Sequence, residues 1–291
     1  MCVYKYYVLY LSGDKTMSSN PLQQYFRQPK IYVKLPSGGV FNKTGTIQGD
    51  VNNLPIYGMT GMDEIIMKTP DALMTGDSTI KVIESCCPSI KNAWDLSILD
   101  TDLIFTAIRI ATYGNTMSVT HSCPGCQAEN DYDVELTKVV DHLTSCQYQN
   151  KVILPDLVIR IQPLTYQQAT EINIDNFKLQ QQLVQTELLE DETEKQKAID
   201  GLWKSLAMMQ NDVYLASVES IETKDITVTE KTYIIEYLKN CDKEIFTAIR
   251  NQIDANKAIW KFTGYAVKCD ACSHETVLSI DLDPSSFFVQ A

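Results

Sequence analysis

Four of the nine cysteines fall in two short matching stretches, Cys123-Pro124-Gly125-Cys126 and Cys269-Asp270-Ala271-Cys272. Each CxxC follows strand-like sequence, Met117–Thr120 in one case and Tyr265–Lys268 in the other. Each is followed by a polar turn and alternating apolar residues: Tyr132, Val134 and Leu136, then Val277, Ile280 and Leu282. A tight turn of this kind presents two sulfurs on one side, and its backbone N–H groups stabilise their charge. Four thiolates on two such turns suit tetrahedral Zn²⁺, with zinc–sulfur bonds of about 2.3 Å. The expected ligands are Cys123, Cys126, Cys269 and Cys272. Four sulfurs complete the shell and leave no open position for water, so the expected zinc is structural. The reading is a zinc ribbon split in sequence and closed in space.

Other chemistries fit less well. One CxxC alone is a weak signal and reads equally as redox-active, disulfide-bonded or unliganded. A redox CxxC opens a helix in a thioredoxin-like βαβ unit, and neither pair does. His121 and His274 flank the two turns and are read as neighbours of a complete sulfur shell. His142 is read as a surface residue near a helix end. The sequence contains no glycine-rich phosphate loop, no HExxH and no GxSxG. No catalytic residues, organic cofactor or small-molecule substrate are expected, and the chain is read as a non-enzyme.

Charge narrows the partners. The net charge is −12 and the pI about 4.7. Zinc ribbons are often nucleic-acid modules, but that binding needs a cationic surface, and no run of Lys or Arg occurs. A nucleic-acid-binding zinc-ribbon accessory protein is therefore the alternative reading, with no nucleic acid the expected one. Acidity favours solubility and basic protein partners. An odd cysteine count does not make a disulfide framework. Cys86, Cys87, Cys146 and Cys241 read as buried or incidental thiols in a reducing compartment. No stretch reaches the roughly 18 apolar residues of a membrane span. The opening Cys2–Tyr10 is apolar but short, and lacks the basic start and small-residue cleavage site of a signal peptide. Residues 1–16 read as an upstream extension or a poorly ordered tail before Met17.

The elements that must position the cysteines are legible in outline. Residues 18–58 are irregular, punctuated by Pro21, Pro29, Pro36 and Pro55, with one strand at Ile31–Leu35. They read either as a tether for a partner or as a surface strand and loop of the same domain. Thr60 caps a helix over Gly61–Met67, and Thr69-Pro70-Asp71 opens another. Gly76-Asp77 starts a third that stops before Pro88. Met59, Met62, Met67 and Met74 read as core filler. Asp100 or Thr101 caps a strong helix with Leu103, Ile104, Ala107, Ile108 and Ala111 at 3/4 spacing, ended by Gly114. Arg109 within it is expected to pair with a carboxylate such as Asp95 or Asp102. Between the ribbon halves, Val152–Leu154 and Leu157–Ile161 read as a hairpin. Helices follow from Thr165, over Lys195–Ser217 with Trp203 on the apolar face, from Thr229 and from Cys241-Asp242. Val218–Val228 reads as a connector, and Glu187–Glu194 as a solvated acidic turn.

The run Pro55–Glu64, the helix Asp102–Gly114 and the following CPGC resemble the baseplate hub assembly proteins of T4-like contractile-tailed phages. The resemblance is best over residues 31–140. It implies a viral protein that builds the tail baseplate hub through protein–protein contacts, as assembly factor or built-in component. The implied partners are other baseplate hub and tail proteins. The implied location is the host cytoplasm during assembly, or the virion tail baseplate. It implies no catalytic residues. The fold expected is α+β: an N-terminal extended arm at 1–58, a helical layer plus split zinc ribbon at 59–145 and 257–291, and a hairpin and four-helix insert at 146–256.

Overall fold

The structure is a computed structural model, and the residues described are 20–69, 75–187 and 191–278. Among the sequence expectations, residues 1–16, the cap at Pro70-Asp71, Met74, the middle of the acidic turn, and Ile280 and Leu282 lie outside them.

The central helix is the most apolar segment. It runs over Ile98–Tyr113 (α3), and nearly every residue from Leu99 to Ala111 is buried. A helix that is apolar all round must be wrapped by other elements. Here they are α1 (Gly61–Met67), α2 (Asp77–Cys86), α4 (Leu136–Ser145) and a two-stranded ribbon of β1 (Ile31–Val33) and β2 (Leu54–Ile56). Each Leu or Ile of α3 taken out of water contributes roughly 1.5–3 kcal/mol before chain entropy is charged. Its cap is Ser97, not the expected Asp100 or Thr101: the Ser97 side chain accepts from the Asp100 N–H. The Asp100 carboxylate accepts from Ser37 N–H at 3.1 Å and Asn42 Nδ2 at 2.7 Å, and pins the 37–42 loop to the helix start. Gly114, at φ 100°, ends α3 as expected.

Residues 31–56 lie on this chain's own core: Val33, Leu35, Leu54 and Ile56 are all buried in it. The Arg27 guanidinium reinforces the attachment, donating to the Gly58 carbonyl at 2.5 Å and the Ser85 carbonyl at 2.6 Å. Thr60 caps α1 in a reciprocal box with Asp63, as its sequence predicts. Met67 is core, but Met62 is exposed. Arg109 is buried in α3 with its guanidinium 5.4 Å from the Tyr113 ring centroid, while Asp95 pairs with Lys43.

A second apolar cluster gathers Val152, Ile159, Ile161, Leu215, Val218, Ile221, Ile234, Leu238, Ile249 and Ile253. Its sheet has the order β5-β6-β7-β8 (Lys151–Ile153, Val158–Ile161, Val218–Glu222, Thr227–Val228), antiparallel throughout. The expected hairpin is β5–β6. The expected connector instead holds β7 and β8, which extend that hairpin because Val218 and Ile221 complete its apolar face. Against it pack α6 (Glu192–Ser217), α7 (Lys231–Asn240) and α8 (Lys243–Trp260), while α5 (Tyr166–Glu187) lies along α6 and sets Tyr166 against the α3 core. Thr165 and Gln168 exchange side-chain-to-backbone hydrogen bonds at the start of α5. Trp203 on α6 is 60% exposed, contrary to its place on the expected apolar face. The chain is thus mixed helix and small antiparallel sheets, the α+β class expected. No helix among the described residues is long and apolar enough to cross a membrane.

Candidate metal centre

Two hairpins carry the cysteines. β3 (Thr116–Ser122) pairs antiparallel with β4 (Glu129–Glu135), from Thr116 opposite Glu135 to Ser122 opposite Glu129. β9 (Tyr265–Lys268) pairs with β10 (Glu275–Leu278), closing at Lys268 opposite Glu275. The CxxC sits in the tight loop at the tip of each.

The two tips have the same backbone design. In the first, Cys123 N–H donates to the Ala128 carbonyl at 2.9 Å and Gln127 N–H to the Cys123 carbonyl at 2.8 Å. In the second, Cys269 N–H donates to the His274 carbonyl at 3.0 Å and Ser273 N–H to the Cys269 carbonyl at 2.8 Å. Gln127 and Ser273, each just after the second cysteine, are the two non-glycine residues with positive φ among the described residues, at 61° and 59°. A left-handed residue at that point turns the chain back into the strand and keeps both sulfurs on the same side. The first cysteine of each pair is buried, the second exposed.

The tips face each other. All four sulfurs lie within 4.8 Å of one another. The cross pairs are 3.7 Å for Cys123 with Cys272 and 3.6 Å for Cys126 with Cys269. A tetrahedron with metal–sulfur bonds of about 2.3 Å has sulfur–sulfur edges of about 3.8 Å. A disulfide needs about 2.05 Å. The spacing matches a shared metal ion and excludes bonded pairs in this arrangement. His121 and His274 lie outside the sulfur cluster, as expected. A Cβ on Gly125 would come within 3.3 Å of the His274 ring, so that glycine allows the second loop to seat against the first.

Electrostatics point the same way. The Cys269 thiol is held down at about 6, chiefly by the backbone N–H groups of Cys272 and Ala271, with help from Cys126 and Asn130. The Cys272 thiol receives the His274 backbone N–H, which lowers it, yet Cys126, burial, Cys123 and Cys269 push it up to about 12. Sulfurs this close cannot all ionise without a counter-charge; a divalent cation between them removes that obstacle. By contrast, burial pushes the Cys86 thiol up to about 12 and the Cys87 thiol to about 11. Both belong to the core. His142 sits in the last turn of α4 and is half-buried: its Nε2 lies 3.6 Å from Cys146 Sγ and its ring packs edge-on against Phe262.

One contributor carried no signal in the sequence reading. Asn130 on β4 is buried and reaches from the first hairpin to the second loop. The Tyr132 hydroxyl also crosses over, donating to the Lys268 carbonyl at 3.1 Å, and Tyr265 returns a bond to the Glu135 carbonyl.

No curated protein and no solved structure matches the chain. A family model described as T4 bacteriophage base plate protein matches residues 59–289, a span holding both CxxC hairpins and the helices between them. The chain belongs to the T4 bacteriophage base plate protein family.

Proposed function

We propose that this protein builds the hub of the phage tail baseplate through protein–protein contacts, and that its four-cysteine cluster is a structural zinc site in a split ribbon. Membership in the base plate family supports the baseplate role, and the resemblance of Pro55–Glu64, Asp102–Gly114 and the following CPGC to hub assembly proteins points to the hub. The sulfur cluster carries the second. The partners are other hub and tail proteins, met in the host cytoplasm during assembly. Residues 146–256, with their own sheet and apolar cluster, act as an insert domain between the ribbon halves, and residues 1–58 as an N-terminal arm whose 31–56 stretch is anchored on the chain's own core. The zinc would be held by Cys123, Cys126, Cys269 and Cys272. It would tie the end of the chain to the α3 layer, and no catalytic role follows.

Two measurements test this reading. Metal analysis of the native protein should find one zinc per chain; a ratio near zero defeats the metal assignment. A phage with a stop codon in this gene should yield heads but no complete contractile tails by electron microscopy of the lysate. Normal tailed, infectious particles would defeat the hub assignment. Presence of the protein in wild-type particles marks a component, and absence an assembly factor.

A further inference from the structure

The two loops are alike in backbone, but the side-chain amide that reaches from one hairpin into the other's loop comes from one side. Asn130 Oδ1 accepts from the Asp270 N–H at 3.0 Å. Its Nδ2 donates to the Ala128 carbonyl at 2.9 Å and lies 3.5 Å from Cys269 Sγ. A protonated Cys269 thiol also has Oδ1 at 3.7 Å. The amide orientation follows from its neighbours: a flip would set Nδ2 against the Asp270 N–H and Oδ1 against the Ala128 carbonyl, losing both bonds. The side chain is only 7% exposed, so these bonds form away from competing water. The corresponding place in the second hairpin, next after Glu275, is Thr276, which has one hydroxyl and not an amide's separate donor and acceptor atoms. The first hairpin therefore grips the second loop at the residue after Cys269, and points an N–H at that cysteine's sulfur.

We propose that Asn130 is the positioning residue of the metal centre, fixing the second CxxC loop and donating to the Cys269 thiolate so that two distant halves meet as one site. The proposal rests on the metal reading above. Groups that orient and hydrogen-bond metal ligands change affinity by roughly 10–100-fold when removed. Asn130 performs both tasks for the loop that is joined to the first only through a long intervening chain.

The test uses the full chain, with Zn²⁺ competed against a chelator and Co²⁺ as the spectroscopic probe. Asn130→Ala should bind one metal per chain but roughly 10–100-fold more weakly. The thiolate-to-cobalt charge-transfer band should shift, because the sulfur has lost its hydrogen bond. Asn130→Asp keeps the shape and the acceptor for Asp270 N–H, so the loop remains seated if the alanine variant fails to fold. It replaces the donor with a negative oxygen beside Cys269 and should weaken binding at least as much. A merely structural role would lower the melting temperature and leave affinity and the cobalt band unchanged. Affinity within twofold of wild type in both variants, with an unmoved band, overturns the proposal and leaves the metal reading standing. Failure of the unsubstituted chain to take up Zn²⁺ or Co²⁺ overturns both.

Discussion

Hairpins β3–β4 and β9–β10 end in the same cysteine loop, yet the protein holds them in different ways. The first has seven paired positions, leaves α3 directly and leads into α4. Met117 and Val134 anchor it in the apolar core. The second has four paired positions, and Leu278 is its one fully buried apolar side chain among the described residues. Val277 beside it is 57% exposed. Packing on the α3 layer thus suffices to form the first hairpin, while the second depends on what the first offers: Asn130, Tyr132, the Glu135 carbonyl and two sulfurs. Identical local turns do not imply equal stability, because most of a hairpin's stability lies in the surface it covers.

The largest effect expected from breaking this comparison comes at the sulfurs. Cys269→Ser or chelation should cost on the order of 4 kcal/mol or more, given that structural zinc in small peptides is worth roughly 10 kcal/mol. At about 2–4 °C per kcal/mol for a chain of this size, the melting temperature should fall by roughly 8 °C or more. Hydrogen exchange should show protection lost in β9–β10 before β3–β4. A midpoint insensitive to both treatments would mean the cluster is not structural.

A smaller effect separates anchor from surface within the second hairpin. Leu278→Ala should cost about 2–4 kcal/mol in denaturant unfolding. Val277→Ala, one residue away and facing water, should change stability by less than about 0.5 kcal/mol. Similar values for the two would show that the hairpin does not lean on the core through Leu278.

The smallest effect sharpens the likeness of the loops. Gln127 and Ser273 share a left-handed backbone that glycine adopts without strain. Gln127→Gly and Ser273→Gly should each stabilise by a few tenths to about 1 kcal/mol, as read from unfolding midpoints. A gain at one loop and a loss at the other would refute their equivalence.

Much of this was readable because it is local. The doubled CxxC, the Thr60 cap and the Gly114 stop depend on a few neighbouring residues. The β5–β6 hairpin closes over a two-residue turn. Elements that needed distant partners were not readable. Val218–Glu222 becomes a strand because β6 offers it an open edge, and no local pattern marks that. Ser97, Asp100 and Thr101 are all good caps; Ser97 won because Asp100 was taken by Ser37 and Asn42 from another part of the chain. Trp203 shares the helical spacing of its apolar neighbours, but spacing does not say which stripe of a helix finds a partner.

The candidate metal centre divides along the same line. The sequence by itself determined the donor type, the number of sulfurs and the two turns that carry them, since a CxxC loop is shaped by its own backbone hydrogen bonds. Only the tertiary structure decided that the two loops meet, with sulfurs 3.6–3.7 Å apart across the join, and that Asn130 spans them. Those facts depend on α3 and its layer holding one hairpin in place while the chain between travels through a second apolar cluster and returns. Such a path is fixed by the burial of many dispersed side chains, and no short stretch of sequence encodes it.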